Sequence, residues 1–289
     1  MRCLGGCSHM LEEPLIKVEA VEYVYPSGVK AVNGVDLEIR RGEFVALMGQ
    51  NGSGKTTLAK LMNGLLKPTS GRVLLKGRDT REMTAAECAR VVGYVFQNPE
   101  HQIFAPTLYD EVAFGPRNLG IPEDEVRRRV EEALEIMDLK KPMDSLPHLF
   151  SVGEKHRVAI ASVLAMNPEV IILDEPTTGI DYGRSLQIMR ALKKLKEKGE
   201  TIVLITHDMY LAAEFAERVV ILRNGVKVAD GPVEEILSDR DTLSSNGLQP
   251  LQVTVLSEAL SRYGIIPGLV RCNDFVQSFI NALRERHKA

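Results

Sequence analysis

The sequence predicts an α/β fold around a mostly parallel sheet. Strand-sized apolar runs alternate with amphipathic helical stretches along most of the chain. The run Phe44–Met48 passes into a Gly-rich loop that opens a helix, and a second run, 170–173, ends in two adjacent carboxylates.

Taken in order, residues 15–24 and 35–39 read as strands separated by the turn signal Pro26-Ser27-Gly28, and the Arg41-Gly42 turn leads into Phe44–Met48. After the loop, 56–62 reads as a helix start, and 72–75 and 91–96 as strands. Residues 123–137 form an amphipathic helix with Val126, Val130, Leu134 and Met137 on one face, opening after Pro122 with acids in its first turn. A helix over 154–165, the buried strand 170–173, a helix over 184–198 and the strand Thr201–Ile205 complete the alternation. Two short strands, 218–222 and 226–229, flank the hairpin signal Asn224-Gly225. The stretch 238–252, rich in Asp, Ser, Asn and Gly, reads as a linker. Beyond it, Val255, Leu256, Ala259, Leu260 and Tyr263 form one apolar helical face, and Phe275, Val276, Phe279, Ile280 and Leu283 another, which predicts a small C-terminal helical unit.

Composition narrows the function. With 36 Lys+Arg against 39 Asp+Glu, no Trp and 5% aromatics, the chain of 289 residues lacks the basic, aromatic surface expected of a nucleic-acid partner. Cys3, Cys7, Cys88 and Cys272 form no C-x-x-C pair, which fits a reducing compartment. Residues 1–14 are expected to be a poorly ordered extension; 1–10 contain glycines and lack the basic start and apolar stretch of a signal peptide. No apolar run approaches the roughly 18 residues of a membrane span. Any service to a membrane is therefore expected from outside it.

Gly49-Gln50-Asn51-Gly52-Ser53-Gly54-Lys55-Thr56 fits the phosphate-loop pattern G-x-x-x-x-G-K-[ST], in the required context between a strand and a helix. The loop's amides and the helix N-terminus favour a phosphate, Lys55 reaches its terminal groups, and the Thr56 hydroxyl suits Mg²⁺. Asp174 supplies a second anchor for the metal. Glu175, expected to point the other way in the strand's alternation, is placed to orient or deprotonate an attacking water.

Between these motifs lies Ser151-Val152-Gly153-Glu154-Lys155, followed by the helical pattern Val158, Ala159, Ala161, Ser162. With the phosphate loop and the paired acids, this resembles the ATP-binding cassette (ABC) family over about residues 15–231. The resemblance implies a P-loop ATPase domain over 15–237, with a mixed sheet, an antiparallel β subdomain and a helical subdomain over about 98–166. The remainder, 238–289, becomes linker and C-terminal helical extension. Gln97 matches the family's glutamine loop, with a catalytic and metal-facing role, Asp181 its D-loop and His207 its switch histidine. Taken alone, Gln97 is a solvated polar residue and His207 a capping one; the order of the motifs raises both. Tyr25 falls where the family stacks a ring on adenine, and Gly49, Asn51, Gly52, Ser53, Gly54, Lys55, Thr56 and Thr57 where it holds the phosphates.

ATP and Mg²⁺ are the implied ligands. A head-to-tail dimer is also implied, with each ATP held between one phosphate loop and the other subunit's Ser151, Gly153 and Asp181. The family's usual Leu-Ser-Gly-Gly-Gln reads Phe150-Ser151-Val152-Gly153-Glu154 here, and a carboxylate near the partner's nucleotide is expected to weaken closure. A slow homodimer and a heterodimer with a second cassette both remain open.

The run from Asn98 to Thr107, and then Asp110 to Pro116, resembles the energy-coupling-factor branch, the importers of cobalt, nickel and vitamins. That implies a transmembrane coupling subunit, a substrate-binding membrane subunit and a peripheral place on the cytoplasmic face of the membrane. Ile103, Phe104 and Phe114 are expected as apolar anchors, beside Glu100, Asp110 and Glu111 for basic partners. The competing class is a soluble cassette ATPase of the DNA-repair, ribosome-associated or iron–sulfur assembly type. It is opposed by the lack of a coiled-coil insertion between Lys55 and Ser151.

Overall fold

The computed structural model describes residues 13–286. Cys3, Cys7 and nearly all of the expected extension lie outside the described residues.

The chain opens with an antiparallel pair, β1 (Ile16–Val24) and β2 (Lys30–Ile39). Pairing carries β2 five residues further back than its apolar pattern indicates, because Val32 lies opposite Tyr23 and Lys30 opposite Val24. Then come β3 (Phe44–Met48) and α1 (Lys55–Met62), followed by β4 (Ser70–Leu75) and β5 (Arg78–Asp79). β1, β2, β4 and β5 make one four-stranded sheet in the order β2-β1-β4-β5. A short helix, α2 (Ala85–Val91), starts on the reciprocal capping box of Thr84 and Glu87 and leads into β6 (Val92–Val95).

Three helices follow: α3 (Leu108–Asn118), α4 (Glu123–Ile136) and α5 (Val152–Leu164). The α4 face expected from the sequence is buried, with Val126 and Val130 fully enclosed and Leu134 and Met137 nearly so. The chain continues through β7 (Val170–Asp174), α6 (Tyr182–Glu197), β8 (Thr201–Ile205) and α7 (Met209–Phe215). The hairpin β9 (Arg218–Arg223) and β10 (Val226–Pro232) closes a six-stranded sheet ordered β10-β9-β3-β8-β7-β6. Its central strands are parallel and only β10 runs against its neighbour.

The continuous apolar runs have a simple cause. In β3, Phe44, Ala46 and Met48 enter the core beneath the helices, while Val45 and Leu47 enter the core shared with the smaller sheet and α1. β7 divides in the same way, Ile171 and Leu173 against Val170 and Ile172. Both faces of the sheet are covered, so both sets of side chains must be apolar.

The C-terminal part departs from expectation twice. The stretch read as a linker carries helix: α8 (Val233–Ser238) is followed by α9 (Arg240–Ser245), whose Leu243 is fully buried. Asp239 starts α9 by accepting from the amides of Asp241 and Thr242, so the polar composition was that of a helix cap. In α10 (Gln252–Ala259) the buried side chains are Val253, Thr254 and Ser257, while Val255, Leu256 and Tyr263 of the expected face are exposed. The reason is hydrogen bonding. Thr254 Oγ1 donates to the Leu269 carbonyl, and Ser257 Oγ accepts from the Leu269 amide. On α11 (Cys272–Arg286), likewise, Ser278 is buried, accepting from the Ile266 amide, whereas Val276, Phe279 and Leu283 are exposed. No helix among the described residues is long and apolar enough to cross a membrane.

Candidate functional site

β3 delivers the chain into residues 49–54 and α1 carries it away, and two glycines make that path possible. At Gly49, with φ +142°, a Cβ would stand 2.2 Å from the Leu222 carbonyl oxygen; at Gly54, with φ +103°, it would stand 2.4 Å from that of Ala31. Gly54 caps α1 without a side-chain hydrogen bond, and the first turn carries no acid. The helix's leading N–H groups thus lack intrahelical partners and favour an anion. Lys55 folds back over the loop, its Nζ donating to the carbonyls of Gly49 at 2.8 Å and Gln50 at 2.9 Å. An ammonium has three donors, so one remains for a ligand. Burial pulls the Lys55 ammonium below its ordinary pKa, and the Glu175 and Asp174 carboxylates oppose that shift.

A cleft of about 500 Å³ collects Tyr25, Asn51, Gly52, Ser53, Gly54, Lys55, Thr56, Thr57, Gln97, Asp174 and Glu175. Tyr25 is half-buried at its mouth, with its hydroxyl 3.0 Å from Thr57 Oγ1. Gln97 follows β6 and is exposed. Both acids line this one cleft, which corrects the expectation that Glu175 faces away from Asp174. Strand geometry ends at Asp174, and Glu175 takes a left-handed φ of +49° with its amide bonded to Ile205 O at 2.9 Å. Such a conformation in a non-glycine residue costs about 1–3 kcal/mol and is sustained by its surroundings. His207 Nδ1 lies 2.8 Å from the Glu175 carboxylate. Against an ionised carboxylate, which only accepts, that nitrogen carries the hydrogen.

Two buried polar atoms in the cleft, Ser53 Oγ and Asp174 Oδ1, have no partner among the described residues. Unpaired groups of this kind are costly to bury and mark a place for a ligand. Thr56 and Asp174 fit a small hard cation that takes most of its ligands from phosphate and water.

Ser151, Gly153 and Asp181 do not line this cleft. Ser151 caps α5, Gly153 is buried in its first turn and Asp181 caps α6. The Glu154 carboxylate does not stand bare beside them. Its Oε2 accepts from the Ser151 amide and hydroxyl, both at 2.9 Å, and its other oxygen pairs with Lys141 at 2.9 Å. Lys141 first, and the Ser151 bonds with it, draw the carboxyl down to about 2. The spacing Ser151-x-x-Glu154 is a capping box, a signal present in the sequence that accounts for this departure from the family pattern.

Other contacts had no sequence signal. Tyr94 Oη donates to Asp174 Oδ2 at 2.8 Å across 80 residues. Burial, and then the Asp174 charge, push the Tyr94 phenol pKa up. Gln102 ties the end of β6 to α5, accepting from the Phe96 amide and donating to Ala159 O and Ser162 Oγ.

The expected partner surface is also corrected in part. Phe104 and Phe114 are exposed, edge to face at 4.6 Å, but Ile103 is buried. Glu111 is 2% exposed and accepts from the amides of Phe104 and Ala105. It builds the turn that displays Phe104 and cannot meet a basic partner. Glu111→Ala leaves two N–H groups unpaired and is expected to cost about 2 kcal/mol of stability, read from the urea midpoint.

The ABC transporter family profile matches residues 32–178. The energy-coupling factor transporter ATP-binding protein EcfA of Methanocaldococcus jannaschii is 40% identical over 94% of this chain and 99% of its own length. An ABC transporter ATP-binding protein of Caldanaerobacter subterraneus subsp. tengcongensis is 49% identical over 86% of this chain and 44% of its own. The chain thus spans less than half the length of several curated relatives that it matches. Among solved structures, cbiO1 of Clostridium perfringens, described as part of the ABC transporter complex cbiONQ, superposes with a TM-score of 0.72. It is 37% identical, covering 81% of this chain and 94% of that one.

Proposed function

The chain belongs to the ABC transporter family, and from that premise we propose that it is the ATP-hydrolysing subunit of an energy-coupling-factor importer of a metal ion or vitamin. One observation carries the reading: a phosphate loop, two carboxylates and a glutamine from distant parts of the sequence line a single cleft, with His207 bonded to one of the acids. In this reading the base stacks on Tyr25, the loop amides, Lys55 and Ser53 hold the phosphates, and Thr56 and Asp174, with Gln97 nearby, hold Mg²⁺. The metal supplies charge neutralisation at the phosphates. Glu175 takes the proton of a water whose oxygen bonds to the terminal phosphorus as the bridging P–O bond breaks, releasing ADP and phosphate. His207 keeps the Glu175 carboxylate aimed while this happens.

A second cassette, another copy or a relative, completes the site by bringing its own Ser151, Gly153 and Asp181 to the nucleotide. Because Lys141 already pairs the Glu154 charge, Lys141→Ala is expected to weaken nucleotide-dependent pairing about two- to fivefold, the worth of an exposed ion pair. Adding Glu154→Gln restores it. Sedimentation at graded ATP concentrations reads both.

Phe104 and Phe114 form the apolar centre of the surface for the transmembrane coupling subunit. Glu100, four residues before Phe104 in the chain, accepts from Lys155 of α5 at 2.7 Å, which links this segment to the helix that Ser151 caps. Co-expression with a coupling subunit and purification in detergent tests the proposal. Phe104→Glu with Phe114→Glu abolishes co-purification and leaves the chain's own ATP turnover intact; undisturbed assembly rejects this surface.

A further inference from the structure

We propose that Tyr94 is a positioning residue for the metal: its hydroxyl holds one oxygen of Asp174 inside the fold so that the other, Oδ1, is presented to a divalent cation. The inference rests on the nucleotide reading of the cleft and assigns a residue that the phosphate-loop and acid motifs do not include.

β6 and β7 run parallel with Tyr94 beside Ile172 and Val95 beside Leu173. The Tyr94 side chain therefore starts two residues short of Asp174 and spans that distance to donate to Oδ2 at 2.8 Å. Tyr94 is 7% and Asp174 2% exposed, so water does not solvate the pair freely. The ring packs edge to face with Phe96, centroids 5.0 Å apart, and Tyr94 sits in a strand buried along its whole length.

The carboxylate it meets is asymmetric. Oδ2 has its hydrogen bond, and Oδ1 has no partner among the described residues although it is buried. An aspartate turns easily about its last torsion, so an untethered carboxylate there samples orientations that offer neither oxygen squarely. One tethered and one bare oxygen is the arrangement of a metal-facing carboxylate with an outer-shell partner. Packing alone needs no hydroxyl at this position, since phenylalanine fills the same volume.

Tyr94→Phe removes the hydroxyl and keeps the ring and its contact with Phe96. The test uses the full chain, Mn²⁺ as the metal probe and a non-hydrolysable ATP analogue, with free Mn²⁺ followed by electron paramagnetic resonance. In the variant, Mn²⁺ affinity in the presence of the analogue is expected to fall about tenfold, the lower range for loss of an outer-shell partner. Affinity for ATP measured in EDTA stays at the wild-type value. A hydroxyl with only a structural role lowers the melting temperature and leaves Mn²⁺ affinity unchanged, and that result overturns the assignment alone. Wild-type chain that binds Mn²⁺ no better with the analogue than without it overturns the nucleotide reading, and this assignment with it.

Discussion

Glu175→Gln is expected to lower steady-state ATP turnover on the order of 10³-fold, within the range for loss of a general base. The variant should bind Mg·ATP at least as tightly as the wild type. The two effects separate for a physical reason. Glutamine matches glutamate in size, and its amide oxygen can still accept from His207, which lies 2.8 Å from the native carboxylate. What disappears is the ability to take a proton from water, together with one negative charge beside the phosphates. Removing that charge favours nucleotide binding while the chemical step stalls. Phosphate release and equilibrium binding measured on one preparation show the split; turnover retained within a few-fold removes Glu175 from the role of base.

Lys55→Ala acts on binding itself and is expected to weaken Mg·ATP affinity about 10- to 100-fold, the equivalent of one strong charge-assisted hydrogen bond. Turnover falls with it. The ammonium also closes the loop through the Gly49 and Gln50 carbonyls, so the variant loses a brace as well as a charge. Global stability is expected to fall modestly, because the Gly49 and Gln50 carbonyls lose a donor while removal of a buried ammonium relieves a desolvation cost. Lys55→Met keeps most of the apolar stem and separates the two contributions: if the charge dominates, methionine binds ATP as poorly as alanine.

The phosphate loop was legible because its chemistry is local. Gly49 and Gly54 are required by backbone approaches that no other residue survives, and the strand and helix on either side show their periods in the sequence. The acids at the end of β7 were legible for the same reason, but their orientation was not, since strand alternation fails where Glu175 adopts a positive φ. Glu154 is an intermediate case. Its capping-box spacing stands in the sequence, yet the pairing with Lys141 depends on how the loop before α5 folds back. Tyr94 and the tie from Gln102 to α5 had no signal, because the Tyr94 partner lies 80 residues away and the α5 partners of Gln102 about 60, and nothing local distinguishes either residue from core or loop residues. At the C-terminus an apolar pattern misled, since Thr254, Ser257 and Ser278 are buried by hydrogen bonds that hydropathy does not register.

The most direct measurement is a crystal structure of the Glu175→Gln chain grown with Mg·ATP. The expected result is a triphosphate along residues 49–57 within reach of Lys55 Nζ, the base on Tyr25, the metal between Thr56 and Asp174 Oδ1, and Ser151 of a second copy closing over the terminal phosphate. Nucleotide bound elsewhere, or a triphosphate in the loop with Lys55 still turned away from it, would contradict it.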